Sequence, residues 1–166
     1  ARLVAVHNPL VADLLREAYP AAAIDAIEMG VADPLDQPGG SAAVDQEAAR
    51  FRAAHGIPDD AVVVAAFGGL TAEKRLAPLL RAVSVVRDRV PALHVLLAGT
   101  PAAHYDVQAD IEHWGLTGVV HVAGFVPDET LPAALRAADI CACLRWPTNR
   151  ETSASWLRCL AAGRPT

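Results

Sequence analysis

The sequence of 166 residues is long enough to form one domain with a hydrophobic core. It is 53% hydrophobic and 20% charged, which is typical of a soluble α/β protein, and no apolar run is long enough to cross a bilayer. The net charge of −5 argues against a general nucleic-acid-binding protein, which needs a basic face to displace counterions. The three cysteines (141, 143 and 159) lack the second ligand pair of a zinc site, so we expect buried free thiols in a reducing cytoplasm.

The first part of the chain has the pattern of two short strands around one helix. Residues 3–7 (LVAVH) and 24–28 are apolar strands, and Asn8 and Pro9 begin a helix whose apolar residues are Leu10, Leu14 and Ala18. We assign residues 1–31 to the end of one domain. Residues 32–43 hold prolines and glycines with little apolar content and are predicted to be a linker, so residues 44–166 form the second domain.

Strands and helices then alternate regularly. The predicted strands are apolar runs at 61–67, 93–98 and 119–122. The predicted helices show apolar residues three and four apart, at 44–55, 76–90 and 107–114, and Asp128 is expected to cap a further helix that buries Leu131, Leu135 and Ala138. Because the chain begins directly with a strand and stops where another strand is expected, we expect it to be a piece of a longer protein, truncated at its C-terminus.

The stretch from Ile140 to Gly163 reads as a buried strand from Ile140 to Leu144, a polar turn with Arg145, Asn149 and Arg150, and a helix that begins near Thr152. The residues expected to face inward on this helix are Leu157, Leu160 and Ala161, and Gly163 is placed for a left-handed C-terminal cap. The residues around its start, Glu151, Thr152 and Ser153, can cap the helix. A helix N-terminus leaves backbone N–H groups unpaired and therefore favours an anion such as phosphate.

Strand–helix alternation predicts an α/β fold, with a Rossmann-like parallel sheet covered by helices on both faces. In such a sheet, ligands bind beyond the carboxyl ends of the strands. The loops to examine are therefore 68–75, 99–105, 124–127 and 145–152.

Two of these loops are cationic. In the first, Gly68 and Gly69 allow backbone to approach a ligand closely, and Lys74 provides a point charge for a phosphate oxygen, although a solvated lysine in an ordinary turn has the same pattern. The loop matches neither the P-loop spacing nor the dinucleotide-binding glycine pattern. The other cationic loop carries Arg145 and Arg150 ahead of the last helix.

The remaining two loops are small and apolar. Gly99 and Thr100 follow one strand, and Gly124, Phe125 and Val126 follow the next, where a base could lie against backbone and the Phe125 ring. Phe125 could equally be a core residue. Together, the four loops predict a nucleotide diphosphate as the ligand.

Other chemistry has little support in the sequence. No D-x-D pair is present to hold a metal on the nucleotide, and no G-x-S-x-G nucleophile turn occurs. His94 and His121 fall inside predicted strands, where a hydrogen-bonded core histidine is expected. We assign no catalytic residue, no metal site and no cofactor.

Several segments resemble the retaining glycosyltransferases called group 1, which have the two-domain GT-B fold. FGGLTAEKR resembles the G-R-L-x-x-E-K-G segment of their donor-nucleotide domain, and LHVLLAGTP resembles the L-x-I-V-G-x-G-P strand and loop. VVHVAGFVPDETLPAALRAADICACLR and WLRCLAAGRPT resemble the motifs that follow. Residues 3–31 resemble the last strand and helix of the acceptor-side domain.

The resemblance implies the C-terminal, donor-nucleotide-binding half of a GT-B enzyme that transfers a sugar with retention of configuration and without a metal. It also implies that Lys74 binds the donor diphosphate, that residues 151–153 bind phosphate through backbone N–H groups, and that the 124–127 loop touches the base. The nucleotide-diphospho-sugar is then a substrate rather than a cofactor.

The sequence departs from the family pattern at the charged positions. Where the family has an arginine after the first glycine, this sequence has Gly69. The family's two glutamates, which contact sugar hydroxyls and ribose, are replaced in register by Arg150 and Arg158, and Glu151 lies one residue after the first of these positions. Arg150 or Arg145 is a candidate to supply the missing positive charge.

We therefore expect part of a hexosyltransferase-type enzyme whose acceptor is a glycan, a lipid or a small molecule. The expected partners are a nucleotide sugar and the acceptor domain of the parent, with no nucleic acid, in the cytoplasm or at its membrane surface. The isolated chain is expected to be inactive and to self-associate through the surface that faces the missing domain. The alternatives are a non-catalytic binding or scaffold module of the same fold and a nucleotide-sugar epimerase.

Overall fold

The computed structural model describes residues 3–34, 36–148 and 151–166. The first unit consists of strand β1 (Val4–Val6), helix α1 (Pro9–Ala18) and strand β2 (Ile24–Ala26), and the two strands pair in parallel. Asn8 caps α1 by accepting a hydrogen bond from the Leu10 N–H, as the sequence predicts. The apolar face of α1 is not buried, since Leu10 and Leu14 are 41% and 57% exposed. A two-stranded sheet offers too little surface to cover that face of the helix.

Helix α2 (Gly40–Ala54) begins inside the predicted linker, after Gly39 in a left-handed conformation with φ 93°. The last four residues of the predicted linker therefore form the first turn of this helix. The start was missed because glycine and serine are poor indicators of helix. The helix buries Val44 and Ala48, as predicted, and ends with a cap at His55.

The second unit is built on four parallel strands. They are β3 (Val62–Phe67), β4 (Leu93–Ala98), β5 (Val120–Gly124) and β6 (Ile140–Cys141), and they lie in the order β5-β4-β3-β6. The helices between them are α3 (Leu76–Val86), α4 (Val107–His113) and α5 (Leu131–Arg136), with α6 (Ala154–Ala161) after β6. The predicted parallel sheet with alternating helices is thus confirmed.

Both faces of this sheet are buried, because successive residues of a strand point to opposite sides. In β3, Ala65 packs into one hydrophobic cluster with residues of α5 and α6, and Ala66 packs into the other with residues of α3 and α4. Leu96 and Leu97 of β4 divide between the clusters in the same way. This explains why the strands are continuously apolar.

Several predicted details of the helices are wrong. Thr130, not Asp128, occupies the N-cap position of α5. Helix α3 ends at Val86 and not at the predicted Val90, and both of these valines are 38% exposed. In α6 the fully buried residue is Cys159, followed by Ala162 at the C-cap, whereas the predicted Leu157 and Ala161 are only half-buried and Leu160 is 45% exposed. The buried face of α6 was missed because a cysteine and an alanine carry a weak hydrophobic signal beside two leucines.

The last strand is shorter than predicted, because β6 ends at Cys141 instead of Leu144. Cys141 and Cys159 are buried, as expected, but Cys143 is exposed because it lies beyond the strand. Gly163 has φ 63° after α6, which is the left-handed conformation predicted for it. No helix in the described part of the chain is long and apolar enough to cross a membrane.

The strand order places a topological switch point between β3 and β6. The chain runs from β3 outward to β4 and β5, and then returns to pair β6 with the other side of β3. The loops after β3 and β6 diverge from neighbouring strand ends, and such crevices are where ligands bind in open α/β sheets.

Candidate functional site

The loop after β3 places Lys74 at this switch point. A short 3₁₀ turn, Ala72–Lys74, follows the two glycines, and the Lys74 ammonium group donates a hydrogen bond to the carbonyl of Phe67. Lys74 is the single lysine of the chain. None of the described carboxylates forms an ion pair with it. Burial lowers the pKa of Lys74, and the nearby Arg145 lowers it further.

The Lys74 ammonium group and the first turn of α6 face the same point, at Gly68. A Cβ atom on Gly68 would lie 2.7 Å from Lys74 Nζ and 2.8 Å from Ser155 Oγ. Gly68 also has φ 83°, which disfavours a side chain. The predicted lysine and the predicted helix start therefore lie at one edge of the sheet, on the two sides of one glycine.

The start of α6 is defined by Ser153, whose side chain accepts a hydrogen bond from the Trp156 N–H at 3.3 Å. Of the three predicted cap candidates, Ser153 is therefore the cap. The Thr152 hydroxyl instead donates to the carbonyl of His7 at 3.0 Å, which fastens this loop to the end of β1. Ser155, which was not among the predicted site residues, lies next to Gly68, and its Oγ would be 2.8 Å from a Cβ atom there.

Arg145 and Glu151 form an ion pair, with 2.9 Å between Arg145 Nε and Glu151 Oε1. The pair lies beside Lys74, because the backbone N–H of Trp146 donates to the carbonyl of Glu73 at 2.7 Å. The Glu73 carboxyl has a lowered pKa, chiefly through hydrogen bonds to backbone and to Thr71. Arg150, the other arginine predicted here, lies outside the described residues.

Two cavities surround Lys74. The larger, of about 520 Å³, is bounded by Lys74, Arg145, Glu151, Trp156 and, from the first unit, Asn8. The second, of about 440 Å³, is bounded by Gly68, Gly69, Lys74 and Arg145 together with residues 152–155. The predicted residues of the two cationic loops that the structure describes are therefore brought together.

A third cavity, of about 210 Å³, lies beneath the next loops along the sheet edge. The predicted Gly99, Thr100, Phe125 and Val126 all line it, as does Arg158. Phe125 is 76% exposed, so it is available to a ligand rather than part of the core. Gly68, Gly69 and Ser155 line both this cavity and the 440 Å³ cavity at Lys74, so the two cavities adjoin.

Gly99 is needed where the loops after β3 and β4 cross. A Cβ atom at Gly99 would lie 2.1 Å from the Gly68 carbonyl oxygen. The two loops are held together by backbone hydrogen bonds from Gly68 N to Ala98 O and from Leu70 N to Thr100 O, each 2.9 Å. Gly99 lies in one of the loops predicted to bind a ligand, and the close approach seen at Gly99 is between two loops of the protein.

Arg158 forms an ion pair with Asp128, at 3.5 Å from Nη2 to Oδ1. Asp128 was predicted as a helix cap and instead lines the 210 Å³ cavity. The position where the family pattern has a ribose-binding glutamate therefore presents an arginine and a carboxylate from a different loop.

His94 and His121 lie away from these cavities and bond to each other. His94 Nδ1 lies 2.9 Å from His121 Nε2, and His121 Nδ1 lies 2.9 Å from the His55 carbonyl oxygen. Because a carbonyl can only accept, His121 Nδ1 carries a proton and His94 Nδ1 donates to the free nitrogen of a neutral His121. Burial lowers the pKa of both histidines. Within the described ranges, no cluster of three or more acidic, histidine or cysteine side chains could hold a metal ion.

Several solved structures that share this fold are described as glycosyltransferases. HepE of Anabaena, in complex with UDP and glucose, aligns with a TM-score of 0.76 and 19% identity over 99% of this chain and 43% of its own. The pneumococcal O-GlcNAc transferase GtfA, in complex with UDP and GlcNAc, aligns with a TM-score of 0.69 and 13% identity over 99% of this chain and 29% of its own. The C-terminal domain of a group 1 glycosyl transferase, LpcC of Francisella tularensis, aligns with a TM-score of 0.60 and 20% identity over 81% of this chain and 68% of its own.

These alignments show a shared fold, and the chain spans less than half the length of HepE and GtfA. No curated protein matches the sequence. The family described as "Glycosyl transferases group 1" matches residues 47–151, which is more than half of the chain and includes every strand of the four-stranded sheet. The chain therefore belongs to the group 1 glycosyl transferases and has the Rossmann-like fold of their C-terminal domain.

Proposed function

We propose that this chain binds the nucleoside diphosphate part of a sugar donor, as part of an enzyme that transfers a hexose to a glycan, lipid or small-molecule acceptor. The observation that carries the proposal is the position of Lys74. It is the single lysine of the chain, it has no carboxylate partner among the described residues, and it shares a 440 Å³ cavity with the start of α6. A partly buried ammonium group facing a helix N-terminus is suited to a phosphate anion.

The adjoining 210 Å³ cavity supports a nucleoside beside the phosphates. Its lining includes Gly68, Gly69 and Gly99, and the exposed ring of Phe125, which also lines it, offers a surface for a base. HepE and GtfA, which share the fold, are described as complexes with UDP. We therefore propose the diphosphate at Lys74 and the nucleoside towards Phe125.

In the transfer reaction, negative charge develops on the diphosphate as it leaves the sugar. Fixed positive charge in a partly enclosed site stabilises that change without further reorganisation. Lys74 and the backbone N–H groups at the start of α6 would supply it. The three free cysteines fit a reducing compartment, which supports a cytoplasmic location for the protein.

The single lysine allows a direct test. Reductive methylation with ¹³C-formaldehyde labels Lys74, so the NMR spectrum of this chain contains one lysine side-chain signal. We expect UDP or GDP to shift the Lys74 signal. Loss of one charge-assisted hydrogen bond costs about 1.5–3 kcal/mol, so Lys74→Met should weaken diphosphate binding roughly 10- to 150-fold.

An unchanged affinity in Lys74→Met would contradict the phosphate role of this residue. Lys74→Arg serves as the matched variant, because it keeps the charge and should retain more affinity than Lys74→Met. Thermal unfolding of each variant, followed by circular dichroism, separates loss of binding from loss of fold.

A second candidate is a binding module without transferase activity. It is favoured by the Arg158–Asp128 ion pair, which occupies the position where the family pattern has a glutamate. Assay of the parent protein with a panel of nucleotide sugars separates the two, because the enzyme transfers or hydrolyses at least one donor while the module only binds it.

A further inference from the structure

The loop that carries Arg145 is attached to the turn that carries Lys74. Its attachment is the 2.7 Å hydrogen bond from the Trp146 N–H to the Glu73 carbonyl, between the residues next to each cation. Arg145 and Lys74 consequently line the same two cavities. The loops that follow the neighbouring strands β3 and β6 thus bring the two positive side chains to the same cavities at the switch point.

The two positive charges act unfavourably on each other in the free protein. Arg145 is the second cause, after burial, of the lowered pKa of Lys74. Like charges that share a cavity raise each other's energy until an anion lies between them. A diphosphate carries enough negative charge to neutralise both.

In the free protein, Arg145 is occupied by Glu151. Arg145 Nε lies 2.9 Å from the carboxylate, and the Thr148 hydroxyl donates to the same carboxylate at 3.2 Å. The two charged side chains are 41% and 36% exposed. Ion pairs as exposed as this one contribute little and break at low cost, so the guanidinium can exchange one oxyanion for another.

We propose that Arg145 is the second phosphate-binding cation of the site and that Glu151 holds it in place until a diphosphate displaces the carboxylate. This inference rests on the proposed function and goes beyond it by naming a second cation of the site and the carboxylate that competes for it. A guanidinium group can donate two parallel hydrogen bonds to two oxygens of one phosphate, which a lysine ammonium group cannot do. Glu151 competes with the ligand for Arg145 and so sets the affinity of the site.

The test is a double-mutant cycle read by calorimetric titration with UDP, with UMP as the monophosphate comparison. Arg145→Gln should weaken UDP binding roughly tenfold, as expected for one charge-assisted contact, and should weaken UMP binding less. Glu151→Gln should strengthen UDP binding severalfold, because the competing carboxylate is gone. If Glu151 acts through Arg145, then adding Glu151→Gln to Arg145→Gln changes nothing further.

Arg136→Gln is the matched control, because Arg136 is also a partly exposed arginine paired with one carboxylate, that of Asp45, and it lies on α5. It should leave UDP affinity unchanged. Circular dichroism melts of all variants confirm that each one folds, and Arg145→Lys provides a variant that keeps the charge if Arg145→Gln does not fold.

Three results would overturn the inference, and they are distinguishable. Equal UDP affinity in wild type and Arg145→Gln removes Arg145 from the site while leaving the role of Lys74 intact. If Glu151→Gln raises UDP affinity by the same factor in the wild type and in Arg145→Gln, then Glu151 acts by general charge repulsion and not through Arg145. Failure of the wild-type chain to bind UDP or GDP overturns the proposed function, and the inference falls with it.

Discussion

Replacing Gly99 by alanine tests the close crossing of the loops after β3 and β4. The added Cβ atom would lie 2.1 Å from the Gly68 carbonyl oxygen and 2.6 Å from its carbonyl carbon. These are backbone atoms, so no side-chain rotation can relieve the overlap. The backbone φ of Gly99 is outside the left-handed region, so the clash is the main effect of the substitution.

The magnitude follows from what must move. Ordinary contacts of a Cβ atom begin near 3.4 Å, so the loops have to separate by more than an ångström at this point. Overpacking in a well-packed region costs about 1–3 kcal/mol. The separation also strains the two 2.9 Å hydrogen bonds that join the loops, from Gly68 N and from Leu70 N. Each is worth about 1 kcal/mol, so we expect a total loss of about 3–5 kcal/mol in the free energy of unfolding.

The assay is urea denaturation followed by circular dichroism, with the slope of the transition compared between variants. Gly69→Ala is the control, because its Cβ would meet nothing nearer than the Thr100 carbonyl at 4.0 Å and its φ is also outside the left-handed region. That change should be neutral or stabilise by up to about 1 kcal/mol through the unfolded state. If Gly99→Ala and Gly69→Ala differed by less than about 0.5 kcal/mol, the crossing would not be as tight as described and the reasoning would fail.

Three further predictions concern charge, pH and association. Gly69→Arg places a cation where the family pattern has one. Because the position is open, UDP affinity measured by titration should rise. An unchanged affinity would mean that the diphosphate lies elsewhere. Because burial lowers the pKa of His94 and His121 in the folded state below the ordinary value of 6.5, the unfolded chain binds more protons below that pH. Stability should therefore be fully present above pH 6.5 and fall as the pH drops, and the urea midpoint of His121→Gln should fall less between pH 7.5 and 5.5. Leu14→Asp, on the exposed face of α1, should reduce self-association of the chain in sedimentation velocity, and an unchanged profile would remove that face from the contact.

The sheet could be predicted from the sequence because its strands are buried on both faces. A strand such as β4 has no polar face to interrupt its apolar run, and the predicted range of 93–98 matches its observed bounds. Short elements gave a weaker signal. Strand β6 pairs through only Ile140 and Cys141, so the apolar residues beyond it were wrongly included in the strand.

The site could be located by position but not in its side-chain contacts. Lys74, the glycine loops and the start of α6 lie at one sheet edge because all of them follow parallel strands or precede a helix at that edge. The pairing of Arg145 with Glu151, and of Arg158 with Asp128, depends on side chains meeting across different loops. Nothing in local periodicity specifies such partners. Ser155 was missed for the same reason, since its role follows from its position beside Gly68, which Lys74 also contacts.

The switch point itself depends on residues far from the cavities. Strand β6 pairs with β3 over only two residues, so other contacts help to hold it in place. The start of β6 is held by Asp139, whose carboxylate accepts from the Val63 N–H at 2.8 Å and from Arg52 at 3.1 Å. Arg52 also donates to the carbonyls of Ala137 and Ala61, so one guanidinium ties α2 to the starts of both strands. Helix α2, which precedes the sheet in sequence, therefore helps to hold β6 beside β3 and so to keep Arg145 next to Lys74.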